Sequence, residues 1–446
     1  MKHASLMLLA VTMTGCLRGA WTSGPATDPD GAGVDQTPGD GPRMDKPTSD
    51  ADAGPIAGEC STDTDCADVY TCTQDLCVAN WCTNELAAGH CLINGQCQDV
   101  GDNHPTEICN LCDPTLDPTR WMPGPGCVGT LAGDGTAGFA DGPTATARFS
   151  YPDGVAVDNM GRVLVTDRDN NRVRMIWNGQ VTTLAGDGTA GFADGPAASA
   201  RFNQLQAVTV EGTAKVYVSE YHRIRVIEAG QVTTLAGDGT AGFADGPAAI
   251  ARFNVPGAIA VNGPGTLIVA DTGNARVRKV AAGQVITIAG TGVKGNDNGP
   301  AASASFTHPN GVAVDGAGVI YISDGAGYRL RRLASGQVTT FAGTGAFGLV
   351  DGPAASARFD WPTGLACNPA GKVFVPDWWN HRIRVVWNGQ VTTLAGSGPG
   401  YPSDGGFADG PVTSARFAHP DHAAVDGAGR VFISDPFNNR IRVIVP

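Results

Sequence analysis

A segment of about 53 residues that recurs six times between Val128 and the end of the chain predicts an all-β fold. Each copy contains four short stretches rich in β-branched residues with turn residues between them, which is typical of one propeller blade. Ten clustered cysteines and a stretch poor in apolar residues precede these copies. The sequence therefore predicts a six-bladed β-propeller preceded by a disordered tether and a small disulfide-rich module.

The N-terminal segment MKHASLMLLAVTMTGC combines a basic start, a short apolar run and small residues before Cys16. The apolar run is too short to cross a bilayer. The MTGC segment resembles the lipobox of bacterial lipoproteins, which implies that residues 1–15 are a signal peptide and that Cys16 carries a lipid. No aspartate follows Cys16, so the resemblance implies anchoring in the outer membrane, facing the periplasm or the cell surface. An ordinary secretory signal with an incidental cysteine is the alternative.

Residues 16–58 are rich in Gly, Pro, Asp, Thr and Ser, and Trp21 is their only aromatic residue. Such a segment cannot bury enough apolar surface to fold. A flexible chain of this length reaches roughly 35 Å, enough to hold a domain clear of lipid headgroups. We therefore expect a lipid-anchored flexible linker, with the lipid as the only contact with the membrane.

Residues 59–127 contain an even number of cysteines in an exported, core-poor segment, which favours a module of five disulfides. The pairing cannot be read from the spacing. Zinc is the alternative, because the CNLC segment has the spacing of half a zinc site, but only one such pair is present. The cysteines concerned are Cys60, Cys66, Cys72, Cys77, Cys82, Cys91, Cys97, Cys109, Cys112 and Cys127.

Residues 128–446 form the predicted propeller, and the two ends of this region indicate how the ring closes. The region opens with a lone VGTLAG strand and ends on RIRVIVP with no such strand after it. Pairing of the first strand with the last completes the sixth blade and hides both edges.

The segments VTDRDNNRVRMI, VADTGNARVRKV, VPDWWNHRIRVV and ISDPFNNRIRVI resemble the NHL repeat. The resemblance covers residues 128–446 and implies the same six-bladed fold. We call the turn between the last two strands of each repeat the corner; it reads DRDNN in the first repeat. The second repeat departs from the pattern because VSEYHRIRV lacks two corner residues, and the fourth because GAGYRLRR lacks the asparagine. We expect local recognition to differ at those two blades.

The thirteen residues LAGDGTAGFADGP occur three times without change, and they suggest either a calcium loop or a sharp structural turn. The two aspartates, Asp134 and Asp141, are seven residues apart, whereas calcium loops place ligands at alternate positions. Glycines that permit positive φ favour the structural interpretation, with Gly142-Pro143 starting a short turn or helix. We also expect one phenylalanine per copy to lie between blades: Phe149, Phe202, Phe253, Phe306, Phe359 and Phe417.

Each corner begins with one acidic residue. Because this residue is repeated around the ring, we expect it to cap the turn and to form an ion pair with Arg172 or the equivalent arginine of its repeat, and not to act in catalysis. Function is expected where the symmetry breaks, on the face that carries the glycine-rich loops and the corners. The candidate binding residues at the channel mouth on that face are Asp153, Gln206, Asn310, Thr363, Asp421, His422, Trp378 and Trp379. Cys367 falls on an innermost strand, so we expect a buried and inert thiol.

The net charge of −13 belongs to the N-terminal third, since residues 1–127 carry 5 Lys and Arg against 18 Asp and Glu. Without a basic face, nucleic-acid binding is not expected. We predict a monomeric cell-envelope module that binds or scaffolds a protein or glycan, with no cofactor and no catalytic residues. The alternative is a hydrolase or lyase similar to gluconolactonases and amidating lyases, which implies a divalent metal such as Ca²⁺ held in the channel by Asp153, Asn310 and Asp421. A sensor role remains a third possibility.

Overall fold

The computed structural model describes residues 73–78, 81–86, 90–93, 96–99, 109–111, 115–117, 120, 122–400 and 402–446. Six antiparallel sheets of five strands each follow one another around a central channel. The prediction of an all-β, six-bladed propeller is confirmed.

The strands follow the same order in every blade, and the innermost strand of each blade lines the channel. Blade 1 contains β8 (Gly142–Pro143), β9 (Pro152–Val157), β10 (Val163–Asp167), β11 (Arg172–Trp177) and β12 (Gln180–Ala185); blade 2 contains β13 (Gly195–Pro196), β14 (Leu205–Glu211), β15 (Lys215–Glu220), β16 (Arg223–Glu228) and β17 (Gln231–Ala236); blade 3 contains β18 (Gly246–Pro247), β19 (Pro256–Val261), β20 (Leu267–Asp271), β21 (Arg276–Ala281) and β22 (Gln284–Ala289). Blade 4 contains β23 (Gly299–Pro300), β24 (Pro309–Val314), β25 (Ile320–Asp324), β26 (Arg329–Ala334) and β27 (Gln337–Ala342); blade 5 contains β28 (Gly352–Pro353), β29 (Ala366–Cys367), β30 (Val373–Asp377), β31 (Arg382–Trp387) and β32 (Gln390–Ala395); blade 6 contains β33 (Gly410–Pro411), β34 (Ala423–Val425), β35 (Val431–Asp435), β36 (Arg440–Val445) and β7 (Cys127–Ala132).

Each blade has a fifth strand that the four-strand pattern did not predict. In blade 1, Gly142 and Pro143 pair with the start of β12 at the outer edge of the sheet. The expected turn follows directly, because the main-chain nitrogens of Thr146 and Ala147 both donate to the oxygen of Pro143. Two residues are too few for a recognisable strand pattern, which explains why the sequence indicated only the turn.

The first propeller strand closes the ring as predicted. β7 lies between β36 and β33, with Val128 opposite Ile444 on one side and opposite Gly410 on the other. The sixth sheet therefore combines the first strand of residues 127–446 with strands from the end of this region. Because β7 pairs with a strand on each side, neither edge of β7 is left unpaired.

Among the described residues before the propeller, six strands form three two-stranded hairpins: β1 (Thr73–Val78) with β2 (Trp81–Leu86), β3 (His90–Ile93) with β4 (Gln96–Asp99), and β5 (Asn110–Leu111) with β6 (Met122–Pro123). A disulfide joins Cys109 to Cys127, the first residue of β7. Met122 and Leu116 are buried in the core shared by blades 6 and 1, so this segment packs against the propeller. The side chains of Cys60, Cys66, Cys72, Cys77, Cys82, Cys91, Cys97 and Cys112, like Cys16 and residues 1–58, lie outside the described part of the chain.

One phenylalanine per blade is completely buried in the cores between blades, as the repeat predicted: Phe149, Phe202, Phe253, Phe306, Phe359 and Phe417. Aliphatic residues of neighbouring sheets surround them in clusters that cross from blade to blade. Burial of a phenylalanine stabilises the fold by about 1.5–3 kcal/mol. The blades therefore share their cores around the ring.

The aspartates of the glycine-rich loop are held by arginines. Asp134 accepts from Arg148 at 2.8 Å and from the main chain of Thr136 at 2.6 Å. Asp141 accepts from Arg174 at 2.5 Å and from Thr183 at 2.9 Å. The glycine-rich loop thus acts as the structural turn that the aspartate spacing favoured.

Arg174 also explains the corner of each blade. Its guanidinium, with no exposed side-chain surface, donates to Asp167 at 2.7 Å and to the main-chain oxygens of Arg148 and Ala140. The expectation that Arg172 pairs with the corner aspartate is wrong, because Arg172 donates to the main-chain oxygens of the loops. Arg172 and Arg174 are two residues apart and so share a face of β11. Arg172, at the start of the strand, reaches the main-chain oxygens of Asn170 and Asp187, whereas Arg174 reaches the Asp167 carboxylate.

The corner and the glycine-rich loop lie on one face, as strand alternation predicted. Asn170, in the short 3₁₀ turn Arg168–Asn170, donates both to the main-chain oxygen of Gly138 at 2.7 Å and to Asp167 at 2.8 Å. We call this face the corner face. The other face carries the short turns such as the one at Asn178-Gly179.

Candidate functional site

The mouth of the channel on the corner face is formed where the innermost strands begin. Five of the predicted residues and Gly257 occupy equivalent positions around this mouth, at the second residue of an innermost strand or just before it: Asp153, Gln206, Gly257, Asn310, Thr363 and Asp421. Two residues earlier, each repeat places a second ring of side chains: Tyr151, Gln204, Val255, His308, Trp361 and His419. Five of these six residues adopt the left-handed backbone conformation, so the conformation belongs to the repeat and not to one site.

Three of the predicted residues converge. Asp153, Asp421 and His422 each offer a ligand atom, and these atoms all lie within 4.8 Å of one another. His422 Nδ1 lies 3.4 Å from an oxygen of Asp153 and 3.6 Å from one of Asp421. We call these three residues the mouth cluster.

Asp153 and Asp421 are buried and His422 is largely buried, and this environment shifts the pKa values of Asp421 and His422. Burial, reinforced by the negative charge of Asp153, raises the pKa of Asp421 well above its usual range. Burial alone would lower the pKa of His422, but the adjacent carboxylates of Asp153 and Asp421 raise it above its ordinary value. The cluster therefore favours a bound positive charge, whether a proton or a cation.

Arg168 is a member of the mouth that sequence reasoning missed. Its guanidinium donates to Asp153 at 3.3 Å and to the side-chain oxygen of Gln204 at 2.9 Å. It also lies over the ring of Tyr151, 5.2 Å from the centroid. The sequence places Arg168 in a corner that varies between repeats, and this variation was the signal that could have found it.

The remaining ring residues do not join the cluster. Asn310 is paired through its side-chain oxygen with His308 Nδ1. Thr363 donates to the main-chain oxygen of Asp421 at 2.6 Å and is buried. Gln206 makes only a long contact with the main-chain oxygen of Gln204. The expected calcium ligands Asp153, Asn310 and Asp421 are thus not assembled, because Asn310 is held by its own neighbour.

Aromatic rings cover one half of the mouth. Tyr151 meets Phe437 edge-on with centroids 5.6 Å apart, Phe437 meets Trp378 at 6.1 Å, and Trp378 meets Trp379 at 6.5 Å. Burial raises the pKa of Tyr151, and the charges of Asp421 and Asp153 add to this effect. The aromatic side chains of blades 5, 6 and 1 therefore border the acidic cluster.

A second aromatic pair extends this half-ring. Trp361 of blade 5 lies 5.2 Å from the ring of His308 of blade 4. In blade 5, the main-chain nitrogen of Trp378 donates to the oxygen of Trp361 at 3.3 Å, so the two tryptophans stand on adjacent backbone segments. We call Tyr151, Phe437, Trp378, Trp379, Trp361 and His308 together the aromatic arc. Tyr151 and Trp361 were missed, although they stand at the repeat position of His308 and His419.

His419 lies beneath this arc. Its ring centroid is 5.0 Å from that of Trp379 and 4.4 Å from that of Phe437, and its side chain is buried. Burial, with help from the neighbouring His381, lowers the pKa of His419 to about 4. His419 is therefore neutral at pH 7 and packs as an aromatic ring.

The channel behind the mouth is aliphatic. A cavity of about 530 Å³ is lined by the innermost strands, with residues such as Val155, Ile259 and Val314, and includes His422 and Cys367 in its wall. Cys367 is half-buried in β29, and burial raises the pKa of its thiol to about 12. At that pKa the thiolate form is nearly absent at pH 7, which agrees with the inert thiol expected from the sequence.

The fold defines the class of this protein, a six-bladed β-propeller, and its repeated corners resemble the NHL repeat. The family model of the NHL repeat matches residues 149–175, which span the entry to β9 and the corner of blade 1. The predicted resemblance to the NHL repeat is therefore confirmed.

Among curated proteins, Protein SUPPRESSOR OF QUENCHING 1, chloroplastic, of Arabidopsis thaliana is 28% identical over 328 residues, which cover 67% of this chain and 31% of that protein. Teneurin-4 of Mus musculus is 28% identical over 250 residues, which cover 49% of this chain and 8% of that protein. The chain thus spans less than a third of the length of either relative.

Solved structures from Bacteroides have a similar fold. A protein of unknown function from Bacteroides thetaiotaomicron has a TM-score of 0.54 at 20% identity, covering 83% of this chain and 86% of that one. An auxiliary nutrient binding protein from Bacteroides ovatus has a TM-score of 0.54 at 16% identity, covering 83% and 88%. At these identities the similarity concerns the fold alone.

Proposed function

We propose that this propeller is a binding module whose ligand, a protein or a glycan, docks on the corner face at the channel mouth. The observation that carries the proposal is the aromatic arc beside the mouth cluster. Ligand sites combine apolar and aromatic surface with a few fixed polar groups, and this half of the mouth offers both. Tryptophan and tyrosine are also the residue types enriched at binding hot spots.

The comparison of the six repeats within the chain supports this location. Every blade keeps the buried arginine and a buried corner carboxylate, which hold the fold together. The mouth position before each innermost strand is instead occupied by Tyr, Gln, Val, His, Trp and His in turn. Because the same backbone position tolerates all of these side chains, Tyr151, His308 and Trp361 of the aromatic arc are not required for folding and are available for recognition.

The similar folds are consistent with this proposal. Two of the solved Bacteroides propellers with TM-scores of 0.53 and 0.54 are described as auxiliary nutrient binding proteins. A binding role on such a fold agrees with the arc and the cluster found here, while the nature of the ligand rests on the mouth itself.

The binding test compares two tryptophans on opposite faces, the half-buried Trp378 and the exposed Trp387. Trp378 belongs to the arc, whereas Trp387 ends β31 on the other face and is 40% exposed. The full chain is incubated with arrays of oligosaccharides and of peptides, and affinities for the bound probes are then measured by calorimetry. We expect Trp378→Ala to weaken binding by at least about tenfold, because loss of a central aromatic contact removes 2 kcal/mol or more. Trp387→Ala should bind as the unchanged chain does.

Equal affinities of the two variants would place the ligand elsewhere. Binding to neither array would remove the proposed ligand classes.

We further propose that the protein is a lipoprotein of the cell envelope, on the basis of Cys16 and the linker that follows it. Among the described residues, no helix is long and apolar enough to cross a membrane. In this proposal the lipid on Cys16 holds the module at the membrane.

We expect Cys16→Ser to abolish labelling with a fatty-acid analogue and to move the protein from the membrane fraction to the soluble fraction, because the thioether-linked lipid needs the thiol of Cys16. Cys367→Ser is the matched control, since Cys367 is a free cysteine of the propeller, and this variant should remain labelled and membrane-bound. An unlabelled protein that stays in the membrane fraction would contradict lipid anchoring.

A metal-dependent hydrolase or lyase is the second candidate, and the observation that favours it is the convergence of Asp153, Asp421 and His422. Turnover of a lactone that requires an added divalent metal would favour this candidate over the binding module.

A further inference from the structure

We propose that Asp153, Asp421 and His422 form a binding site for a divalent transition-metal ion, of the Zn²⁺ or Mn²⁺ type, at the centre of the channel mouth. The proposal goes beyond ligand binding at the aromatic arc, because it concerns the buried cluster behind the arc. It also replaces the calcium site that the sequence suggested.

The backbone on both sides of the cluster is fixed. Asp153 lies in β9 of blade 1, while Asp421 and His422 directly precede β34 of blade 6. The main-chain oxygen of Asp421 accepts from Thr363 at 2.6 Å and from the nitrogen of Gly364 at 2.9 Å. The nitrogen of His422 donates to Ser434 Oγ at 2.9 Å. The potential ligands thus sit on strand ends that three blades hold in place, as a preorganised site requires.

The side chains are also arranged as ligands. Arg168 contacts one oxygen of Asp153, and the other oxygen faces His422. Hydrogen bonds from such outer partners orient ligating carboxylates in metal sites. Among the described residues, neither ring nitrogen of His422 has a hydrogen-bond partner, although both are shielded from solvent. A buried imidazole without a partner is unfavourable unless something else occupies its lone pair.

Gly364 provides the space for this imidazole. A Cβ atom at Gly364 would overlap the ring of His422, so any other residue there would displace the ring. Because Gly364 has an ordinary negative φ, its requirement for glycine comes from this close approach and not from the backbone. The blade 5 backbone therefore forms one wall of the metal site.

The donor set decides the class of ion. Calcium binds six to eight oxygen ligands, whereas this cluster has one nitrogen donor and two carboxylates, and Asn310 is held by His308. Imidazole and carboxylate ligands together suit zinc and other first-row ions. Three protein ligands would leave at least one coordination position, on the side of the mouth.

The test is metal binding to the full, oxidised chain, measured by calorimetry with Zn²⁺ and by electron paramagnetic resonance with Mn²⁺. We expect one ion per chain that His422→Ala and Asp421→Asn each weaken at least tenfold, with unchanged circular dichroism. Asp169→Asn is the matched control, because Asp169 is an exposed carboxylate in the same corner as Arg168, and it should bind as the unchanged chain does. Gly364→Ala should weaken binding without removing any ligand.

The near-ultraviolet spectrum of the Co²⁺ form separates this site from any binding by the cysteine module, because thiolate ligands add intense charge-transfer bands there that imidazole and carboxylate ligands do not. Equal affinity of the unchanged chain and His422→Ala, or no bound ion, would overturn the metal site. Trp378→Ala should still bind the ion, so failure of ligand docking at the aromatic arc and failure of the metal site are separate results.

Discussion

A chain that lacks residues 128–133 is expected to lose most of its stability and to aggregate. This deletion removes β7 from between β33 and β36 and exposes both neighbouring strands. Val128 and Leu131 are almost fully buried, and the loss of their burial alone costs roughly 3–6 kcal/mol. Total stabilities of single domains are about 5–15 kcal/mol, so the loss is a large fraction. Urea unfolding followed by fluorescence, with light scattering for aggregation, measures the effect.

The matched control restores the missing strand at the other end of the chain. In blades 1 and 5 the corresponding strand follows directly after an Asn-Gly-Gln turn. Appending NGQVGTLAG after Val445 of the shortened chain should therefore rebuild the sixth sheet and recover much of the lost stability. If the shortened chain melts like the unchanged one, the ring does not close through β7.

Arg278→Ala is expected to destabilise the protein by about 3–5 kcal/mol, the range for breaking a buried ion pair. Arg278 donates to Asp271 at 2.6 Å, and both side chains are completely buried. The same guanidinium also reaches Asp245 and the main-chain oxygens of Arg252 and Ala244. Its removal leaves the Asp271 carboxylate without its cation in the interior. The midpoint of urea unfolding measures the change.

Arg252→Ala is the matched control in the same blade. Arg252 also pairs with an aspartate, Asp238, at 2.8 Å, but its side chain is 48% exposed. Exposed pairs contribute about 0.2–1 kcal/mol, so this variant should unfold close to the unchanged chain. Equal effects of the two substitutions would mean that the arginine buried in each blade does not stabilise the corner through its charge.

The structural features that recur in every blade could be predicted from the sequence. The apolar strands, the positive-φ glycines of the loop, and buried residues such as Phe149 depend on local patterns that occur six times, so each copy supports the others. Closure through β7 followed from counting strands at the two ends. The partner of the corner Asp167 was misjudged by two residues, since the pattern identified the arginine-rich strand but not which of its arginines reaches the corner carboxylate.

The pairing of Cys109 with Cys127 could be known only from the folded chain, because ten cysteines allow many pairings and only proximity selects one.

The mouth cluster likewise could not be predicted from the sequence. Asp153 and His422 are 269 residues apart in the sequence, and they meet only because ring closure brings blade 1 beside blade 6. Asn310 stands at the equivalent position of blade 4 and was expected to join them, yet His308 engages its side chain. The sequence by itself determined which residues ring the channel, whereas side-chain packing across blades decided which of them converge, because rotamers and partners depend on neighbours that the local pattern does not contain.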